Sequence, residues 1–148
     1  MSASVRGHGA ALFSDLEQKY GAVSETTRTG IIGFSAGGSV SICQVGMDAH
    51  FVTCELSLYP EQKLSSQGLR YEFFSRIDLP VEDSHRLLTA LGNFSLEARL
   101  GHSHSVDVSA VMPPNTASTV RLFLLSRREI DGAKYGVYEV CFDGWNCA

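Results

Sequence analysis

GIIGFSAGGSVSICQV, residues Gly30 to Val45, is the stretch on which the fold turns. Within it, Gly33-Phe34-Ser35-Ala36-Gly37 matches G-x-S-x-G. In serine hydrolases that pattern exposes a nucleophile at a sharp strand-to-helix turn. The residues that follow decide whether such a turn exists here. Ser39 to Val45 is short and β-branched, and two glycines lead into it, so Ser35 precedes a strand and not a helix. Only 34 residues come before Ser35, and the best-defined element among them is helical. A hydrolase fold needs several strands and an oxyanion-hole loop ahead of its elbow. His50, His85, His102 and His104 lie downstream without the local signature of a catalytic base. The stretch reads as a glycine-rich turn that launches a strand.

Upstream, HGAALFSDLEQKYG places Leu12, Phe13, Leu16 and Tyr20 at near-helical spacing and ends on Gly21, which predicts an amphipathic helix over 8–20. Downstream, FVTCELSLY (Phe51 to Tyr59) alternates, with Val52, Cys54, Leu56 and Leu58 on one face, until Pro60 stops it. LRYEFFSRID (Leu69 to Asp78) alternates again. Leu69, Tyr71, Phe73 and Ile77 face one way, and Arg70, Glu72, Arg76 and Asp78 the other, as in a strand with one buried and one wet face. LPVEDSHRLLTALGNFSLEARL predicts a second helix. Pro80 suits its first turn, Glu82 and Asp83 suit the positive end of its dipole, and Leu87, Leu88, Leu91, Phe94 and Ala98 form its apolar stripe. TVRLFLLS (Thr119 to Ser126) and YGVYEVCF (Tyr135 to Phe142) are two more strands, with Asp131-Gly132 as the hairpin signal between them.

The order is helix, three strands, helix, two strands. It predicts a single α+β domain over 1–148, with its core at 30–143. The sheet is mostly antiparallel, of about five strands, with helices packed on one face. A chain of 148 residues is long enough to bury such a core without staples. Hydrophobic residues make up 44% and charged residues 19%, ordinary values for a globular domain. The net charge of -4, with no basic run or stripe, argues against nucleic-acid binding and leaves a basic protein partner open. No apolar run is long enough to cross a bilayer and the first residues do not form a signal peptide, so a cytoplasmic location is expected. Cys43, Cys54, Cys141 and Cys147 contain no C-x-x-C pair. They are expected as free thiols, without a zinc site.

Other constellations are weaker. GHSHSVD brings His102 and His104 to i and i+2, a spacing that points two imidazoles the same way along a strand, yet no third ligand is fixed. Glu82, Asp83 and His85 gather at a helix start, where capping and dipole complementarity explain them without chemistry. Phe74 among the charges of the third strand makes that face a candidate contact surface. The candidate partner-binding set is therefore Arg70, Glu72, Phe74, Arg76, Asp78, Glu82 and Asp83.

Beyond the residues taken singly, the ordered series GGSVSICQV, HFVTCELSLY, SQGLRYEFFSRI, LLTALGNFSLEARL, TVRLFLLS and YGVYEVCF resembles the suppressor-of-fused domain family, bacterial single-domain type. The similarity covers Gly30 to Asp143. It includes the G-x-x-x-E strand start at Gly68 to Glu72 and a Gly-His element at Gly101-His102. The resemblance implies a binding module and not an enzyme, with no cofactor and no catalytic or metal site. Its implied role is that of an immunity or antitoxin-type protein that binds and neutralises a cognate toxin. Two alternatives stand beside it: a small serine hydrolase using Ser35, and a metal-binding protein using His102 and His104.

Overall fold

Two strands flank the G-x-S-x-G match and pair with each other. β1 (Arg28–Ile32) and β2 (Gly38–Gln44) pair antiparallel, with Ile32 opposite Gly38 and Arg28 opposite Ile42. The five residues of the G-x-S-x-G match, 33–37, join the two strands. They lie outside the residues that the computed structural model describes, which are 9–24, 28–32, 38–47, 50–114 and 118–142. The element after Ser35 is a strand, as its β-branched residues require.

Among the described residues the sheet has seven strands. To β1 and β2 it adds β3 (Phe51–Thr53), β4 (Arg70–Ser75), β5 (Ser105–Asp107), β6 (Thr119–Ile130) and β7 (Ala133–Phe142), in the spatial order β1-β2-β3-β4-β7-β6-β5. Every neighbouring pair is antiparallel except β4 and β7, which run parallel with Arg70 opposite Tyr135 and Ser75 opposite Val140. The β6–β7 hairpin turns at Asp131 (φ 50) and Gly132 (φ 82), the pair of positive φ angles of a type I′ turn. The α+β class and the mostly antiparallel sheet are as read from the sequence. The strand count is higher, because the apolar pair Ile31-Ile32 in β1 (RTGII) does not alternate and β5 is three residues in a serine-rich stretch, too short to show a period.

The two helices take opposite faces, in place of the single covered face expected. α1 (Ser14–Tyr20) follows a helical turn at 9–12, and α2 (Val81–Glu97) begins after Pro80. Successive strand residues point to opposite faces. Val40, Ile42, Phe51, Tyr71, Phe73, Tyr138, Val140 and Phe142 join Leu87, Leu88 and Leu91 of α2. Cys43, Val45, Val52, Cys54, Phe74 and Val137 join Leu12, Phe13 and Leu16 on the α1 side. Phe73 and Phe74 are thus adjacent, on opposite faces, and both wholly buried. Each such ring contributes about 1.5–3 kcal/mol by leaving water. On the α2 side, the rings of Tyr71, Phe73 and Tyr138 meet edge to face, with Tyr71 5.3 Å from Phe73 and 5.1 Å from Tyr138. β1 approaches α2 closely: a Cβ on Gly30 would fall 2.6 Å from Thr89 Oγ1.

FVTCELSLY does not continue as one strand. β3 stops at Thr53, a 3₁₀ turn covers Leu56–Leu58, and Leu58 is 38% exposed instead of sharing a face with Val52. Leu56 has crossed to the α2 side. β4 likewise ends at Ser75, short of Asp78. Among the cysteines, Cys43 and Cys54 are buried and not disulfide-bonded. Cys141 is disulfide-bonded, contrary to the expectation of free thiols throughout, and its partner lies outside the described residues. Among the described residues, no helix is long and apolar enough to cross a membrane.

Candidate functional site

β4 carries most of the residues expected at a contact surface, and its position between β3 and β7 changes their meaning. Glu72 faces α1's side of the sheet and is wholly buried. Its carboxylate accepts from Thr53 Oγ1 (2.7 Å), Leu56 N (3.1 Å), Ser57 N (2.6 Å) and Ser57 Oγ (2.5 Å). Burial pushes its pKa up to about 7, although these four donors pull the other way. Thr53 Oγ1 in turn accepts from Phe73 N at 2.9 Å. The arrangement clamps residues 54–58 into their bend, which explains why the strand read from FVTCELSLY breaks. A carboxylate so fully engaged anchors a turn.

Arg70 is committed as well: Nε donates to Ser57 O at 2.8 Å and Nη2 to Tyr59 O. Phe74 is wholly buried, with its ring 5.1 Å from that of Tyr20. Arg76 donates from Nε to Glu139 Oε2 (2.5 Å) and from Nη2 to Oε1 (3.2 Å), and its guanidinium lies 5.0 Å from the centre of the Tyr20 ring. The bond to Glu139 raises the pKa of Arg76 above its ordinary value. His50 completes the group, 5.9 Å from Tyr20 and 6.1 Å from Phe74. Tyr20 OH and His50 Nδ1 are both shut off from solvent without a hydrogen-bond partner. Glu72 and Phe74 therefore leave the contact surface, Arg70 and Arg76 are tied into the fold, and Tyr20, His50 and Glu139 join the polar chemistry of the α1 side.

The sequence does hold a trace of this. Glu72 between Tyr71 and Phe73, and Glu139 between Tyr138 and Val140, are single acids in apolar runs of central strands. Such an acid is buried only with a dedicated partner.

The remaining candidates cluster where β4 leads into α2. Asp78 and Glu82 are exposed, while Asp83 is half-buried and 3.7 Å from Arg86. Between them Leu79 packs on the core and Val81 is 40% exposed. Phe51 pairs with Ser75, so the turn before β3 lies at this same end of the sheet. That turn carries Met47, which is 96% exposed. Arg70 begins β4 at the other end. The three carboxylates and two apolar side chains thus mark one end of the sheet.

His85 and His102 are engaged in the fold. His102 Nδ1 accepts from Leu124 N at 2.9 Å, beside the register shift between Leu124 and Ser126, and its ring stands 5.9 Å from Phe123. His104 is exposed. His85 Nε2 donates to Thr29 O at 2.8 Å, tying α2 to β1. Among the described residues, no three His, Cys, Asp or Glu side chains gather to hold a metal ion. A depression lined by Leu69, Arg127, Arg128, Glu129 and Lys134 is shallow, and Arg128 is drawn away to Asp15 at 2.6 Å. No protein-family model, curated protein or solved structure matches this chain.

Proposed function

We propose that the chain is a non-catalytic protein-binding domain of the immunity or antitoxin type, presenting the end of the sheet at Asp78, Val81, Glu82, Asp83 and Met47 to a basic partner. One observation carries this reading: exposed Val81 and Met47 stand at the end of the sheet that bears three carboxylates. An apolar centre with a charged rim is the anatomy of a protein contact. A negative rim on a chain of net charge -4 speeds encounter with a positive surface. The buried Glu72 and the Arg76–Glu139 pair stiffen the strand from which this end projects. The resemblance to suppressor-of-fused domains supports the choice of a binding module, and the toxin-neutralising role rests on that resemblance alone.

The test is co-expression with the product of the neighbouring reading frame. A one-to-one complex is expected, with association slowed about tenfold or more by Asp78→Lys with Glu82→Lys, and unchanged by Glu97→Lys at the far end of α2. Recovery of no complex, or a complex equally insensitive to both changes, overturns the reading.

A further inference from the structure

Two cysteines that the sequence separates by a turn meet under α1. Cys43 lies on β2 opposite Val52. The backbone N–H of Cys54 donates to Ser41 O at 2.9 Å, which sets Cys54 diagonally across from Cys43. Both side chains point to the α1 side and are buried at 1% and 7% exposure. Their sulfurs are 2.8 Å apart. Unbonded sulfurs keep a wider separation, and a bonded pair sits at about 2.0 Å. No described acid, imidazole or third thiol joins them to make a metal cluster. Cys141 is already disulfide-bonded, so the same chain carries oxidised sulfur elsewhere.

We propose that Cys43 and Cys54 form a cross-strand disulfide, made by exchange with a low-molecular-weight disulfide such as glutathione disulfide. The thiolate of one cysteine attacks a sulfur of the small disulfide, breaking its S–S bond and releasing one small thiol. The second cysteine then attacks the protein sulfur of the mixed disulfide, forming the Cys43–Cys54 bond and releasing the second small thiol. The two cysteine protons end on the two released thiols. Two cysteine sulfurs are oxidised and one small disulfide is reduced.

The hydrogen bond to Cys43 and burial hold the Cys54 thiol far above its ordinary range, so thiolate is scarce in the closed fold. Exchange accordingly takes place while the β2–β3 hairpin is open, during folding. The bond closes a ring over residues 43–54 and fastens β2 to β3 directly beneath α1. It is the expected form where small disulfides are abundant, and the dithiol is the expected form where glutathione is kept reduced.

Met47 lies between the two cysteines, which gives a direct readout. The full chain is reduced, refolded with excess glutathione disulfide, quenched in acid, labelled with N-ethylmaleimide under denaturing conditions and cleaved after methionine with cyanogen bromide. Fragments 2–47 and 48–112 should stay joined until reductant is added, with neither Cys43 nor Cys54 labelled. Cys43→Ser should release them. Separate fragments with both cysteines labelled, or joining of either fragment to 113–148 instead, overturns the proposal. Because the unmodified chain carries the test, a variant that folds poorly does not confound it.

Discussion

Leu56 N and Ser57 N donate to different oxygens of Glu72, so Glu72→Gln keeps an acceptor for one of them, at a cost that does not vary with pH, and removes a titrating proton from the middle of the sheet. The group rises from 4.5 to about 7 on folding, chiefly by burial. At about 1.4 kcal/mol per pH unit this amounts to about 3 kcal/mol. Because the folded-state value is the higher one, the folded chain holds a proton that the unfolded chain has released. The contribution to stability is full below about pH 4.5, falls as the pH rises and is gone above about pH 7. The Glu72→Gln chain has no such loss, and its amide nitrogen can donate to Thr53 Oγ1 or Ser57 Oγ. Urea unfolding followed by circular dichroism from pH 4.5 to 8 should show the variant gaining about 3 kcal/mol relative to the parent across that window. The difference curve isolates Glu72 from every other titrating group. Parallel curves for parent and variant would refute the account of a buried, proton-holding carboxylate.

Arg76→Ala leaves Glu139 buried without its cation, and unfolding should show a loss of about 2 kcal/mol, reduced from the fully buried case because Arg76 is partly exposed. Adding Glu139→Gln should recover part of that loss, a non-additivity read from a double-mutant cycle. Gly30→Ala sets a methyl group against Thr89 Oγ1 and should cost about 1–3 kcal/mol in the same assay. Thr89→Ala should relieve it at little cost of its own, since Thr89 Oγ1 is buried without a partner. Gly132→Ala, at φ 82 with open space around it, should cost about 1 kcal/mol through backbone strain alone, seen as a lower Tm.

Features governed by residues close in sequence were legible. The Asp131-Gly132 turn, the apolar stripe of α2 from Leu87 to Phe94 and the strand after Gly38 follow local rules and form where the residues place them, whereas Ala98, read as the end of that stripe, lies past the helix and is exposed. Burial on both faces of β4 was not legible, because it depends on Tyr135 to Val140 arriving alongside Arg70 to Ser75. The alternation of LRYEFFSRID is real, but the face taken to be wet is covered by α1 and engaged by Glu139. The bend at 54–58 was hidden for the same reason: its cause, Glu72, lies 15 residues beyond Ser57. Of the seven residues read as a contact surface, Asp78 and Glu82 are exposed and Asp83 is half-buried. They lie past the end of β4, where no neighbouring strand covers them.

The parallel seam between β4 and β7 also sets an order of events during synthesis. Strands β1 to β4 form one antiparallel ribbon and β5 to β7 another, and each can pair soon after it leaves the ribosome. Among the described residues only the seam joins them within the sheet, and its second half, Tyr135 to Val140, is translated well after Arg70 to Ser75. Until then the nascent chain carries β4 as an uncovered edge bearing Tyr71, Phe73 and Phe74, the kind of strand that recruits other chains. Tyr135 to Val140 thus act as the zip fastener of the sheet. A ribosome stalled shortly before Ala133 would hold a chain with β1 to β6 made and an unfinished, adhesive sheet.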